Sequence, residues 1–107
     1  MATVTLTRGD TARQFKDTLK NSDGSVIDLT DCKVYFLLKE KETRAVVRQE
    51  ADILDEAAGT VEYWPEAEDV AVAGKYWQEW EIEYQDGKIL SVPTKPKNTV
   101  NIVEDLG

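Results

Sequence analysis

The chain has 107 residues, 41% hydrophobic and 32% charged, a composition typical of a globular protein in which residues 1–107 form one domain around one core. The formal charge of −8 repels nucleic-acid backbones and anionic lipid surfaces, so we expect no nucleic-acid partner. The apolar runs are far shorter than the ~20 residues that cross a bilayer, so we expect no insertion into a membrane.

In the first part of the chain, apolar and polar residues alternate in short runs, which indicates strands with one buried face. Strands are predicted at residues 3–7, 13–19 and 32–39, with the third in the centre of a sheet. The side chains predicted to face the core are Val4, Leu6, Phe15, Leu19, Cys32, Val34, Phe36 and Leu38. The NSDG sequence at 21–24 predicts a turn, because glycine accepts the positive φ that such turns require.

The segment 44–58 is ambiguous. Its composition favours a helix, whereas Val46, Val47 and Ile53 also suit an irregular edge strand. A strand is predicted at 59–64, where Val61 and Tyr63 share a face, and Pro65 ends it because proline cannot donate to a ladder.

Residues 65–74 predict at most one helical turn, with Glu66, Glu68 and Asp69 near its N-terminus. Residues 75–92 predict a hairpin that turns at Asp86-Gly87, followed by a loop from Pro93 to Asn98 and a last strand, NTVNIV. The residues of the hairpin and of the last strand that are predicted to face the core are Tyr76, Trp80, Ile82, Tyr84, Val100 and Ile102. The whole pattern predicts an all-β protein, an immunoglobulin-like antiparallel β-sandwich of about seven to eight strands.

The sequence lacks the residue types that most common catalytic mechanisms need. The chain contains no histidine, which excludes Ser-His-Asp and Cys-His mechanisms and histidine-based zinc sites. Its single cysteine, Cys32, lies in an alternating run and is predicted to be a small buried hydrophobe. The acids Glu66, Glu68 and Asp69 have no neighbour that would raise a carboxyl pKa. We therefore predict that the protein is not an enzyme and takes no cofactor.

Two further motifs are interpreted as turns. Arg8-Gly9-Asp10 spells an integrin-binding tripeptide but lies where a strand must reverse. Asp23, Asp28 and Asp31 lie close together without the spacing of a calcium-binding loop, so we expect these aspartates to bond the backbone and not a metal.

An aromatic face is the most informative surface feature. If Trp80 points into the core, then Trp77 points out, and Tyr35 and Leu37 of the central strand point the same way. Tryptophan is enriched among interface anchors, so Trp77, Tyr35 and Leu37 form a possible protein interface. The alternative is that Trp77 packs under lysine stems, with Lys33, Lys39 or Lys88 paired to nearby glutamates. The sequence leaves both interpretations open.

The order of several motifs resembles a known family. GDT at 9–11 is followed by DG and DLT between 23 and 30, G-x-V-x-Y-W at 59–64, AGKY at 73–76 and DGK at 86–88. Together they resemble the immunoglobulin-like N-terminal domain of phage baseplate upper proteins, from tailed phages and prophages of Gram-positive bacteria.

The resemblance implies a non-catalytic virion structural protein of the tail or baseplate, synthesised in the host cytoplasm. Its partners would be other virion proteins in the host-attachment apparatus and, by the same resemblance, further copies of itself in a homo-oligomer. Family members normally begin a longer polypeptide, whereas this sequence ends at Gly107, so we expect a small accessory protein. The alternative function is a carbohydrate- or cell-surface-binding module in which Trp64 and Trp77 stack on sugar rings of the host envelope.

Overall fold

The computed structural model describes residues 3–42 and 46–104, with the backbone alone described for Thr3 and for residues 93–98. The strands are β1 (Thr3–Thr7), β2 (Phe15–Thr18), β3 (Lys33–Glu40), β4 (Val46–Glu50), β5 (Asp52–Asp55), β6 (Thr60–Tyr63), β7 (Gly74–Glu83) and β8 (Ile89–Val103). They form a five-stranded sheet, β1-β8-β7-β3-β4, and a three-stranded sheet, β2-β6-β5. All pairs are antiparallel except β1 with β8. The predicted all-β, immunoglobulin-like sandwich is confirmed.

The core lies between the sheets because alternate residues of each strand point inward. The ring of Phe36 is fully buried and lies 4.8 Å from that of Phe15, 4.6 Å from that of Tyr63 and 5.7 Å from that of Trp80, measured between centroids. Strands of both sheets therefore meet at one aromatic cluster. The predicted inward phases of β3, β6 and β7 are confirmed, since Val34, Val61 and Ile82 are all 0% exposed.

The ambiguous segment 44–58 forms two strands where it is described, so the helical alternative is wrong and the strand alternative is confirmed. β4 is an edge of the larger sheet and β5 is an edge of the smaller one. Buried Ala51 joins them, and its N–H donates to the carbonyl of Val34 at 2.8 Å. Burial of Val47 and Ile53 against the core outweighs the helix preference of the local composition. Residues 44 and 45 lie outside the described residues.

The predicted loop from Pro93 to Asn98 lies instead within one long strand, β8, which also contains the predicted last strand. The register with β7 steps from Glu79 opposite Pro93 to Gln78 opposite Asn98. Residues 94–97 thus form a bulge without partners in β7, while pairing continues on both sides. The sequence of this segment, PTKPKN, has prolines and lysines and no alternation of apolar and polar residues, so it did not predict a strand.

The turns follow the sequence closely. Gly9 has a φ of 87°, and the Asp10 carboxylate accepts a hydrogen bond from the N–H of Thr7 at 2.9 Å, so the Arg8-Gly9-Asp10 turn is confirmed. Asp23 and Asp28 each accept from a backbone N–H two residues later, as predicted. Their bonds to Ser25 and Thr30 hold the pKa of both carboxyls below the usual value.

Cys32 is partly buried, less completely than predicted, and packs at the margin of the core. Burial raises the pKa of its thiol, and the negative charges of Asp28, Asp31 and Glu56 raise it further. Because the thiolate is the nucleophilic form, this environment makes the thiol less reactive.

The predicted helical turn after Pro65 is a 3-10 helix, Ala67–Val70. No helix within residues 3–42 and 46–104 has the length and hydropathy needed to span a bilayer.

Gly59 is expected to tolerate substitution poorly. Its φ is 68°, and an added Cβ would lie 2.7 Å from the carbonyl oxygen of Ile27. Gly59→Ala should lower the free energy of unfolding by about 2 kcal/mol, because strain at positive φ adds to a clash with backbone. Gly87→Ala is the matched control, since Gly87 also has positive φ but an added Cβ meets nothing within 4 Å. Urea denaturation of both variants measures the difference, and equal effects would contradict the assigned clash.

Candidate protein interface

The outer face of the five-stranded sheet carries the residues that the sequence singled out. In β3, Tyr35, Leu37 and Lys39 alternate with the buried residues and therefore point away from the core. Their partners in β7 are Glu81, Glu79 and Trp77 respectively. We use the name outer face for these six residues together with Arg48 of β4, which lies opposite Leu37.

Arg48 of β4 contacts residues of both β3 and β7 on the outer face. Its Nε and Nη2 donate to Oε1 of Glu81 at 3.0 and 2.8 Å, and its guanidinium lies 3.7 Å from the ring centroid of Tyr35. The hydrogen bond to Glu81 raises the pKa of Arg48, so the guanidinium stays charged. A planar cation that both bonds a carboxylate and stacks on an aromatic ring holds Tyr35 in a fixed position.

A second set of charges covers Leu37 and Trp77. Lys39 Nζ lies 3.1 Å from Oε2 of Glu79, which confirms the predicted lysine–glutamate pairing. Lys41 Nζ lies 5.3 Å from the ring centroid of Trp77, within the range of a cation–π contact. Lys41, in the turn after β3, therefore partly covers Trp77.

The structure brings Tyr35, Leu37 and Trp77 to one face, but their exposure differs. Leu37 is only 4% exposed, whereas Tyr35 and Trp77 are of intermediate exposure. Leu37 thus belongs to the base of the outer face, and Tyr35 and Trp77 form its accessible aromatic part. The inward orientation of Trp80, on which the prediction of this face depended, is confirmed at 1% exposure.

A buried polar cluster around Asp69 escaped sequence reasoning. Asp69 is 6% exposed, and its carboxylate accepts from the hydroxyl of Tyr63, from Nε2 of Gln49 at 3.2 Å and from the N–H of Glu66 at 2.9 Å. Burial raises the pKa of Tyr63, and its hydrogen bond to Asp69 raises it further. The cluster joins β4, β6 and the 3-10 helix, so its role is structural. The position of Asp69 three residues after Glu66, at the start of a helical turn, was the available signal.

Gln78 is a second buried polar residue that the sequence did not single out. It is 1% exposed because it lies between Tyr76 and Trp80 along β7 and, like them, points into the core. Its Nε2 donates to the carbonyl of Glu79 at 3.1 Å, beside the step in register between β7 and β8. The described residues contain no group of three or more histidine, cysteine or acidic side chains placed to hold a metal ion.

The two sheets and their charge-covered outer face define an immunoglobulin-like β-sandwich. The chain matches the BppU N-terminal domain family, from the phage baseplate upper protein, over residues 2–95, and it belongs to that family. It is therefore a phage baseplate structural domain and a virion component. Comparison with curated protein sequences gave no match.

Solved structures show the same fold. The N-terminal domain of phage TP901-1 ORF48 is similar with a TM-score of 0.69 and 18% identity, over 95% of this chain and 84% of that one. CopC from Methylosinus trichosporium OB3b is similar with a TM-score of 0.50 and 12% identity, over 100% and 89% of the two chains. At these identities the likeness concerns the fold alone.

Proposed function

We propose that the protein is a non-catalytic structural protein of the tail or baseplate, a single domain that acts by protein–protein contacts through its outer face. Membership of the baseplate family supports the proposed location in the tail or baseplate. The observation that carries the proposed surface is the pair of accessible aromatic side chains, Tyr35 and Trp77, which contact the cations Arg48 and Lys41 respectively. Anchors that are ordered before binding lose little side-chain entropy when a partner docks.

The charges of the outer face suit a virion contact of this kind. Glu79 and Glu81 are already paired with Lys39 and Arg48, so a partner need not neutralise isolated carboxylates. The side chains of both glutamates are less than one-fifth exposed, which leaves the aromatic rings and the cations as the accessible groups. A neighbouring virion protein, or another copy of this chain in a homo-oligomer, would supply apolar contacts for the aromatic rings and hydrogen-bond acceptors for the cations.

The test is incorporation of variant chains into virions. Trp77→Ser should reduce the amount of the chain in purified particles roughly thirtyfold, because a truncated tryptophan anchor typically costs an interface about 2 kcal/mol. Quantitative immunoblotting of purified particles measures incorporation, and immunogold labelling locates the chain at the tail tip. Thermal denaturation of the purified variant verifies that it folds. Absence of the chain from wild-type virions would overturn the proposal.

The carbohydrate-binding alternative involves Trp64 as well as Trp77. Trp64 is 48% exposed, directly after β6, and is available for stacking on a sugar ring. Trp64→Ser therefore tests this alternative beside Trp77→Ser. If Trp64→Ser abolishes binding to host cell-wall polysaccharide while Trp77→Ser leaves incorporation unchanged, the chain is a surface-binding module that does not act through its outer face.

A further inference from the structure

The two sides of the sandwich are closed differently. On one side the chain itself crosses from β4 to β5 through buried Ala51 and covers the gap between the sheets. On the other side β1 covers only the last third of β8, because its pairing extends from Thr99 to Val103. The first four residues of β8, Ile89–Val92, pair with β7 on one edge, and no described strand pairs with their other edge.

The free edge presents backbone hydrogen-bonding groups. The N–H of Tyr84 donates to the carbonyl of Lys88 at 2.8 Å, which fixes the alternation of the β7–β8 ladder. Leu90 and Val92 then bond β7, and the N–H and C=O groups of Ile89 and Ser91 point to the free edge. An unpaired edge of this kind is a template for an added strand.

Beside this edge lies a groove of about 500 Å³ between β8 and the segment from Asp17 to Ile27. Leu90 lies on the core-facing side of β8, opposite Ile82, yet it is 40% exposed because the smaller sheet does not extend over it. Leu19 and Ile27 belong to the opposite wall. The groove thus offers an apolar surface to every second residue of a strand added at the edge.

The length of the free edge, and not the charge of the groove, defines its occupant. The wall carries one lysine, Lys20, and one acid, Asp17, whose carboxylate accepts from the indole N–H of Trp80 at 3.2 Å. The charges of the wall therefore favour neither an acidic nor a basic occupant. Pro93 and the bulge that follows limit the free edge to about one short strand, which is too small a contact for a stable dimer.

We propose that the edge of β8 at Ile89–Val92 is a strand-docking site for a short extended segment of another protein, apolar at alternate positions. The segment adds to the five-stranded sheet next to β8 and places its apolar side chains against Leu90 and Val92. This site is separate from the outer face, but it rests on the proposed role of the chain as a structural protein that acts by protein contacts.

The probe is a short synthetic peptide with valine at alternate positions and threonine between them. Calorimetry measures its binding to the full chain, and hydrogen exchange followed by NMR reports on the amides of Ile89 and Ser91. Ser91→Pro removes one edge N–H without removing a bond to β7, and Ser91→Ala is the matched control. Leu90→Asn tests the apolar wall independently if the proline variant fails to fold.

We expect the peptide to slow exchange at both amides, and Ser91→Pro to bind it roughly tenfold more weakly than Ser91→Ala. No binding, or equal binding to a peptide with threonine at every position, would overturn the proposal. Protection of these amides that depends on protein concentration without peptide would assign the edge to a second copy and overturn the partner named here. Normal virion incorporation of Ser91→Pro would leave the proposed structural role intact, so the two proposals fail separately.

Discussion

Trp80→Ala is expected to lower the free energy of unfolding by about 4 kcal/mol, because it truncates the largest side chain of the core. Trp80 is 1% exposed, contacts Phe36 edge to face and donates its indole N–H to Asp17. Truncation leaves a cavity between the sheets and removes the hydrogen bond that joins β7 to β2. For a domain at the lower end of the typical stability of ~5–15 kcal/mol, this loss approaches global unfolding.

Trp64→Ala is the matched control for Trp80→Ala. Trp64 is 48% exposed, so its truncation should change stability by no more than ~0.5 kcal/mol. Urea denaturation followed by circular dichroism compares the two variants without relying on tryptophan fluorescence. Similar midpoints would show that Trp80 is not the centre of the core. Because β7 also carries Trp77, loss of incorporation in Trp80→Ala would report unfolding and not a lost interface.

Asp69→Ala is expected to cost about 3 kcal/mol, although the removed side chain is small. Its carboxylate accepts from three groups, and the substitution leaves the hydroxyl of buried Tyr63 without this acceptor in a poorly hydrated site, whereas the exposed amide of Gln49 can bond water instead. Glu68→Ala, on the same 3-10 helix but exposed, should be nearly neutral. Thermal and urea denaturation measure both variants, and a loss in Asp69→Ala no greater than that in Glu68→Ala would exclude the proposed structural role.

Tyr63→Phe separates the contributions within this cluster. It removes one donor and leaves Asp69 with the bonds from Gln49 and Glu66, so the expected loss is about 1 kcal/mol. Urea denaturation beside Asp69→Ala measures it, and equal losses in the two variants would assign the whole effect to the tyrosine hydroxyl.

The sequence determined the features that depend on local pattern. Alternation along β3 and β7 placed Phe36 and Trp80 inside and Trp77 outside, because successive side chains of a strand point to opposite faces. The turns at Gly9 and Asp23 followed from glycine and aspartate chemistry that acts within a few residues. The order of short motifs along the chain was sufficient to indicate the family.

Tertiary structure decided what depends on distant partners. Segment 44–58 became two edge strands because Val47 and Ile53 find apolar cover that no local propensity encodes. Asp69 became a buried acceptor because folding brings Gln49 and Tyr63 to it. Leu37 alternates as an outward residue, yet charged neighbours on other strands bury it. The free edge of β8 likewise results from where β1 ends its pairing, which is set by the register between segments near opposite ends of the chain.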